Sequence, residues 1–224
     1  MRNAWRANAL CFASLLALGA AGAAGSSAVE LAQALQRKYD ALRDFSTDFV
    51  HVYRGGVLKK QLTEKGRLLV KKPGKMRWEY QTPEPKLFVS DGAKVYFYMP
   101  QDKQVTVSTV PADQAPSSPA LFLAGRGNLA RDFTVSLAET PEGNAPGTRA
   151  LKLIPKTPQA EYDWLLLLVD GATLSLRGLT TVDAQGGASS FAFTNLKENV
   201  GLSDKDFDFK IPRGVDVLTD APRR

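Results

Sequence analysis

The hydrophobic pattern of the chain changes period near residue 44. From Val29 to Leu42 the apolar residues Val29, Leu31, Leu35, Tyr39 and Leu42 recur at three- and four-residue spacing, which predicts one stripe of an amphipathic helix. Arg37, Lys38 and Arg43 crowd its C-terminal half, where the helix macrodipole favours cations. After Asp44 the period falls to two. Phe45, Thr47, Phe49 and His51 alternate with Ser46, Asp48, Val50 and Val52, and Arg54-Gly55-Gly56 ends the run as a turn. The segments GRLLV, KMRWEY, PKLFVS, KVYFYM, KQVTVSTV, DFTVSLA, RALKLIP, YDWLLLLVD, TLSLRGLTTVD and SFAFTNL then read as strands. Asp91-Gly92 and Asp170-Gly171 are strong hairpin signals, and Gly186-Gly187 a weaker one.

One segment breaks this series. ADQAPSSPALFLAG (112–125) begins rich in Pro and Ser and then compresses Leu121, Phe122 and Leu123 into a short apolar helix. Ser117 or Ser118 suits its N-cap, Pro119 its first turn and Gly125 its end. A sheet of roughly ten short antiparallel strands must curl or split. If it curls, the inner face is filled either by a packed core or by a cavity under helices, and periodicity does not separate the two.

Alternation sorts the aromatic-rich centre of the chain into two faces. Met76, Trp78 and Tyr80 share one, and Lys75, Arg77 and Glu79 the other. In GRLLVKK, Leu68, Val70 and Lys72 share a face, opposite Arg67, Leu69 and Lys71. Lys59, Lys60, Lys71 and Lys75 read as a solvated outer face guarding strand edges. Lys72 follows the parity of Leu68 and Val70, at the rim of the inner face.

The N-terminus and the charge narrow the class of protein. Arg2 and Arg6 precede an apolar run, Leu10 to Ala24, of about 15 residues, and small residues follow at Gly25, Ser26, Ser27 and Ala28. This predicts a secretory signal over residues 1–25, cleaved between Ala24 and Ala28, since a membrane anchor needs about 20 apolar residues. Cys11 lies ahead of most of that run, so it is no lipid-attachment cysteine and leaves with the signal. The mature chain then has no thiol chemistry and no disulfide. Removing Arg2 and Arg6 from 29 basic residues leaves 27 against 23 acidic, a formal charge of +4. Such mild basicity fits membrane surfaces or acidic partners better than nucleic acid. Residues 29–220 carry no linker or repeat and are expected to form a single domain.

No catalytic constellation emerges. His51 is the one histidine, on a strand beside Val50 and Val52, and such a residue is more often packed than catalytic. Hydrolase, metalloprotease and Walker-type motifs do not occur. SDKDFDF (203–209) offers Asp204, Asp206 and Asp208 without the glycine and distal glutamate of a calcium loop. It reads as an N-cap at Ser203, a turn, and a strand with Phe207 and Phe209 inward.

The stretch LLVKKPGKMRWEYQTPEPKLFVSDGAKVYFYMPQDKQVTV resembles the hallmark segment of the outer-membrane lipoprotein carrier family, the LolA-like proteins of the bacterial periplasm. The resemblance continues in the N-terminal helix with FSTDFVHVY, in SSPALFLAG and in the tail FDFKIPRGVDVL. It implies a mainly β, α+β fold: an incomplete antiparallel β-barrel of about eleven strands with a helical lid over an apolar cavity. It also implies a monomeric periplasmic carrier, not an enzyme, without a cofactor. Such a carrier takes acylated lipoproteins from an inner-membrane ABC transporter to an outer-membrane acceptor. By the same resemblance Leu68, Val70, Met76, Trp78, Tyr80, Phe88, Leu121 and Phe122 line the lipid cavity. The family places an arginine before the Pro to bind lid carbonyls and hold the cavity shut; Lys72 stands there, a point charge without the guanidinium fork. Met76 replaces a family aromatic, Trp78 is kept, and the tail leaves little room for the C-terminal extension of some carriers. Two alternatives share the fold: the outer-membrane lipoprotein acceptor, and a periplasmic lipid-sensing or scaffold protein.

Overall fold

The computed structural model describes residues 27–56, 60–110 and 127–219. The first element, α1 (Ala28–Ala41), starts at a capping box. The Ser27 hydroxyl accepts from the Glu30 amide at 3.2 Å, and the Glu30 carboxylate accepts from the Ser27 amide at 2.8 Å, satisfying two of the donors that a helix start leaves open. Leu31, Ala32, Leu35 and Tyr39 are buried, but Val29 is 50% exposed. At about 100° per residue Val29 lies well off the centre of the stripe, and Ala32 takes the inward place.

Among the described residues twelve strands follow, with a short helix and a 3-10 turn between them. They are β1 (Asp44–Arg54), β2 (Gln61–Lys71), β3 (Lys75–Thr82), β4 (Lys86–Asp91), β5 (Lys94–Met99) and β6 (Gln104–Thr109). After α2 (Leu129–Asp132) come β7 (Phe133–Ala138), β8 (Thr148–Pro155), β9 (Trp164–Asp170), β10 (Leu176–Val182) and β11 (Ala188–Glu198). The 3-10 turn spans Asp204–Phe207, and β12 spans Asp216–Thr219. All strands join one sheet in the order β12-β6-β5-β4-β3-β2-β1-β11-β10-β9-β8-β7. β1 pairs with β2 on one side and β11 on the other, so it is the seam between two meanders. β12 and β7 are left as edges, so the barrel stays open. Within it α1 packs on α2 and β7.

The open, β-rich architecture is the expected one, with four local differences. β12 pairs with β6 in parallel, because the tail crosses the sheet before adding its strand. Asp170-Gly171 does not form a tight hairpin. The Asp170 carboxylate accepts from the amides of Ala172 at 3.0 Å and Thr173 at 2.8 Å, and this wraps residues 171–175 into a wider loop before β10. Ser203 does cap a turn, but the residues after it form the 3-10 turn and no strand. Phe207 and Phe209 do not point into the barrel. Phe207 is fully buried in the turn packed against β3 and β4. Phe209 packs on Tyr96 and Tyr98, with centroids 5.4 and 5.6 Å away. Those tyrosines stand in register with Val89 and Leu87, on the face opposite Trp78. Lys71 and Lys75 are likewise paired, to Asp204 at 2.7 and 3.2 Å. The short apolar helix expected within 112–125, with Leu121 and Phe122, lies outside the described residues.

Candidate functional site

Strand register assembles the inner face from rows that run across the sheet. Thr47, Leu68, Trp78, Phe88, Phe97 and Thr106 stand side by side from β1 to β6. The neighbouring row is Phe45, Val70, Met76, Ser90, Val95 and Ser108. Leu68, Val70, Met76 and Trp78 are therefore on one face, and all four are buried within the main core. Tyr80 and Phe88 share that face but are only partly buried, at the border of the core. Arg77 and Glu79 lie on the other face, paired to each other at 2.5 Å.

The sequence pattern did not reveal what fills the centre of this face. Phe49 of β1 meets Trp78, Tyr80 and Phe191 edge-on, with centroid distances of 5.3, 5.0 and 5.9 Å. Its ring occupies the space over Gly66, where an added Cβ would stand 2.7 Å from the Phe49 ring and 2.1 Å from the Glu79 carbonyl oxygen. Only glycine admits that approach. Phe191 and Phe193 of β11 extend the cluster with nearly parallel rings 6.3 Å apart. Alternation had put Phe49 on a face with Phe45. The β1–β11 pairing that brings in Phe191 and Phe193 spans over a hundred residues, and no local pattern signals it.

Polar groups mark two ends of this aromatic surface. At one, the Lys72 ammonium donates to the Tyr39 carbonyl in the last turn of α1 and sits 4.9 Å above the Tyr39 ring. The Lys72 amide donates to the Arg43 carbonyl at 2.9 Å. Partial burial lowers the lysine pKa, against the opposing charge of Asp40. Lys38 ties the same turn to the other wing, through Glu198 at 2.7 Å and the Thr173 carbonyl at 2.9 Å. Burial, aided by the Glu198 charge, pushes the Tyr39 phenol far above its ordinary range, so it stays neutral. The hollow between α1 and the sheet beside Tyr39, Leu42, Phe45 and Leu176 measures about 10 Å³, too small for more than a single water. This end is closed.

At the other end Glu64, 3% exposed, receives the Lys86 ammonium on one oxygen and faces His51 Nδ1 at 3.0 Å on the other. His51 Nε2 lies 2.6 Å from the Ser189 hydroxyl, and its ring stacks on Phe191 at 4.2 Å. A carboxylate this deep needs such partners. Burial lowers the His51 pKa, with the Glu64 hydrogen bond and charge pulling the opposite way. His51 is thus packed against Phe191 and hydrogen-bonded at both ring nitrogens, bridging the Glu64 carboxylate and the Ser189 hydroxyl. Among the described residues no group of three His, Cys, Asp or Glu side chains could hold a metal, and no helix is long and apolar enough to cross a membrane.

An open barrel against which α1 and α2 pack, with an aromatic inner face pinned at both ends, defines a class of half-barrels built around an apolar surface. The family model described as outer membrane lipoprotein carrier protein LolA matches residues 40–210. The chain belongs to this outer-membrane lipoprotein carrier family. It is 32% identical over 212 residues to an outer-membrane lipoprotein carrier protein of Dechloromonas aromatica, covering 94% of each chain. It is 32% identical over 181 residues to the protein of that name from Methylococcus capsulatus, covering 81% of this chain and 84% of the relative. Among solved structures, an uncharacterized conserved protein from Thermus thermophilus shares the fold, with a TM-score of 0.52 and 14% identity, over 85% of this chain and 98% of that one.

Proposed function

We propose that this chain is a periplasmic carrier that takes up the acyl chains of lipoproteins released from the inner membrane and delivers them to the outer membrane. The observation that carries this reading is the partly buried aromatic wing of the inner face, in a chain of the lipoprotein carrier family. Each buried CH₂ is worth about 0.8 kcal/mol, so one sixteen-carbon chain in water costs on the order of 12 kcal/mol. A shuttle must match that with apolar surface and cover the surface when empty. In this reading Leu68, Val70, Met76, Trp78, Tyr80 and Phe88 take the acyl chains, with Leu121 and Phe122 as lid residues. Lys72 is the latch, and its grip on the Tyr39 carbonyl favours the closed state.

The same reading gives residues 1–25 the export role and residues 29–220 that of one carrier domain, monomeric, performing no covalent step and needing no cofactor. Its partners are a lipoprotein-releasing ABC transporter on one side and an outer-membrane acceptor on the other. The test is mass spectrometry of the protein purified from periplasm under native conditions. Co-purified acylated lipoprotein is expected. Protein free of lipid that also fails to take up a fluorescent acyl probe would overturn the proposal.

A further inference from the structure

Among the described residues the fully buried side-chain nitrogens and oxygens have hydrogen-bond partners, with one exception. The Thr47 hydroxyl donates to the Thr194 carbonyl at 2.7 Å, and the Ser90 hydroxyl to the Gly74 carbonyl at 2.8 Å. Lys72, His51, Glu64 and Lys86 are engaged as described above. The Trp78 indole Nε1 is different. Among the described residues it is the one buried side-chain nitrogen or oxygen without a hydrogen-bond partner, in a residue 5% exposed. An indole N–H removed from water and left unpaired is costly, and phenylalanine at the same place would supply a ring without that penalty. Its nearest aromatic neighbours are the rings of Phe49 and Phe191, at 5.3 and 5.1 Å, which offer at most a weak N–H···π contact.

Its position in the row is informative. Trp78 stands where the dry core gives way to the half-buried surface, with fully buried Leu68 on one side and partly buried Phe88 and Phe97 on the other. A ligand resting on Phe88 and Phe97 meets the indole at its inner limit. An acyl chain is apolar except for the carbonyl that joins it to the rest of its molecule, and that oxygen accepts hydrogen bonds and donates none.

We infer that the Trp78 N–H is a binding and specificity group for the carbonyl oxygen of an ester-linked acyl chain. The inference rests on the carrier reading and names the atom of the cargo that this side chain recognises. The indole donates across about 2.9 Å, the ordinary N–H···O distance, and this bond sets how far the chain is drawn along the Phe88–Phe97 surface. A chain without a carbonyl still gains from apolar burial but leaves the donor unpaired. The site thereby prefers acyl over alkyl lipids of equal length.

The experiment compares two synthetic lipopeptides on the full mature protein. One carries two palmitoyl esters on an S-glyceryl cysteine; the other carries two hexadecyl ethers in their place, with equal chains and no carbonyls. Affinity comes from tryptophan-independent calorimetry on wild type and Trp78→Phe. A neutral hydrogen bond predicts about three- to tenfold tighter binding of the ester by wild type. In Trp78→Phe the advantage of the ester over the ether should vanish, the two lipopeptides binding with equal affinity. In ¹⁵N-tryptophan-labelled wild type the Trp78 indole proton should move downfield with the ester and stay in place with the ether, Trp164 serving as reference. Equal affinity of wild type for both lipopeptides, with no indole shift, overturns this inference and leaves the carrier reading standing. An ester preference that survives Trp78→Phe also overturns it. Binding of neither lipopeptide removes both.

Discussion

The two wings of the inner face are built from the same sheet but finished differently. On β8, β9 and β10 the wall is aliphatic: Leu151, Leu153, Leu165, Leu167, Val169 and Leu179 are each 0–2% exposed, in the half against which α1 and α2 pack. On β3, β4 and β5 the wall carries aromatic side chains, and Tyr80, Phe88 and Phe97, with Val95 and Met99 beside them, are only partly buried. A leucine wall packed to near-complete burial is a finished core whose free energy is already spent on folding. The aromatic wing keeps apolar surface in reserve, and a carrier needs such a reserve. Phe207 and Phe209 pack behind that wing, on its opposite face, so it is braced without its inner side being filled.

The largest expected effect breaks the leucine wing. Leu167→Ala should cost about 2–5 kcal/mol of unfolding free energy, the usual range for a fully buried leucine. Phe97→Ala should cost clearly less while lowering the affinity for a fluorescent acyl probe. Urea denaturation and probe titration of both variants separate the two wings. Equal stability losses would mean that both wings are ordinary core.

The latch comes next. A hydrogen bond from a charged donor contributes about 1.5–3 kcal/mol, so Lys72→Leu should shift a two-state opening of α1 more than tenfold. The variant should retain the acyl probe longer and release it to an acceptor more slowly, whereas Lys72→Arg should keep closure or strengthen it. Release kinetics provide the measurement, and wild-type retention and release in Lys72→Leu would place the latch elsewhere.

The smallest effect is a pH dependence at the Glu64 end. Burial holds the folded-state His51 pKa below its ordinary 6.5, with Lys86 acting in the same direction and Glu64 against both. The unfolded chain therefore binds the proton more readily. The stability linked to His51 is full above pH 6.5 and is lost as pH falls through 6.5 towards the lowered folded value. Thermal melts of wild type and His51→Gln from pH 5 to 7.5 should converge at the acid end. A constant gap would remove His51 from the acid limb.

The sequence made the periodic elements legible because their burial is one-sided. The helix from residue 28 to 41, the alternation through Met76, Trp78 and Tyr80, and the rim place of Lys72 all follow from local spacing. The carbonyl that Lys72 reaches was not legible, since Tyr39 lies 33 residues earlier in the chain and comes to it only in the folded protein. Phe191 and Phe193 joined the site through a long-range strand pairing, and the Glu64–Lys86 pair through register across three strands. The tail misled for a physical reason: Phe207 and Phe209 have strand spacing, yet the capping box at Ser203 puts Phe207 in a 3-10 turn and leaves Phe209 just beyond it, against Tyr96 and Tyr98 of the outer face.

The central claim is that the aromatic wing, and neither the leucine wing nor the outer face, receives the acyl chains. The direct measurement is photo-crosslinking to a purified acylated lipoprotein, with benzoyl-phenylalanine placed in turn at Phe97, at Leu137 on the far edge, and at Tyr96 on the outer face. Crosslinks to the acyl chains from Phe97 alone are the expected result. Crosslinking from Tyr96 or Leu137 equal to or stronger than that from Phe97 would contradict it.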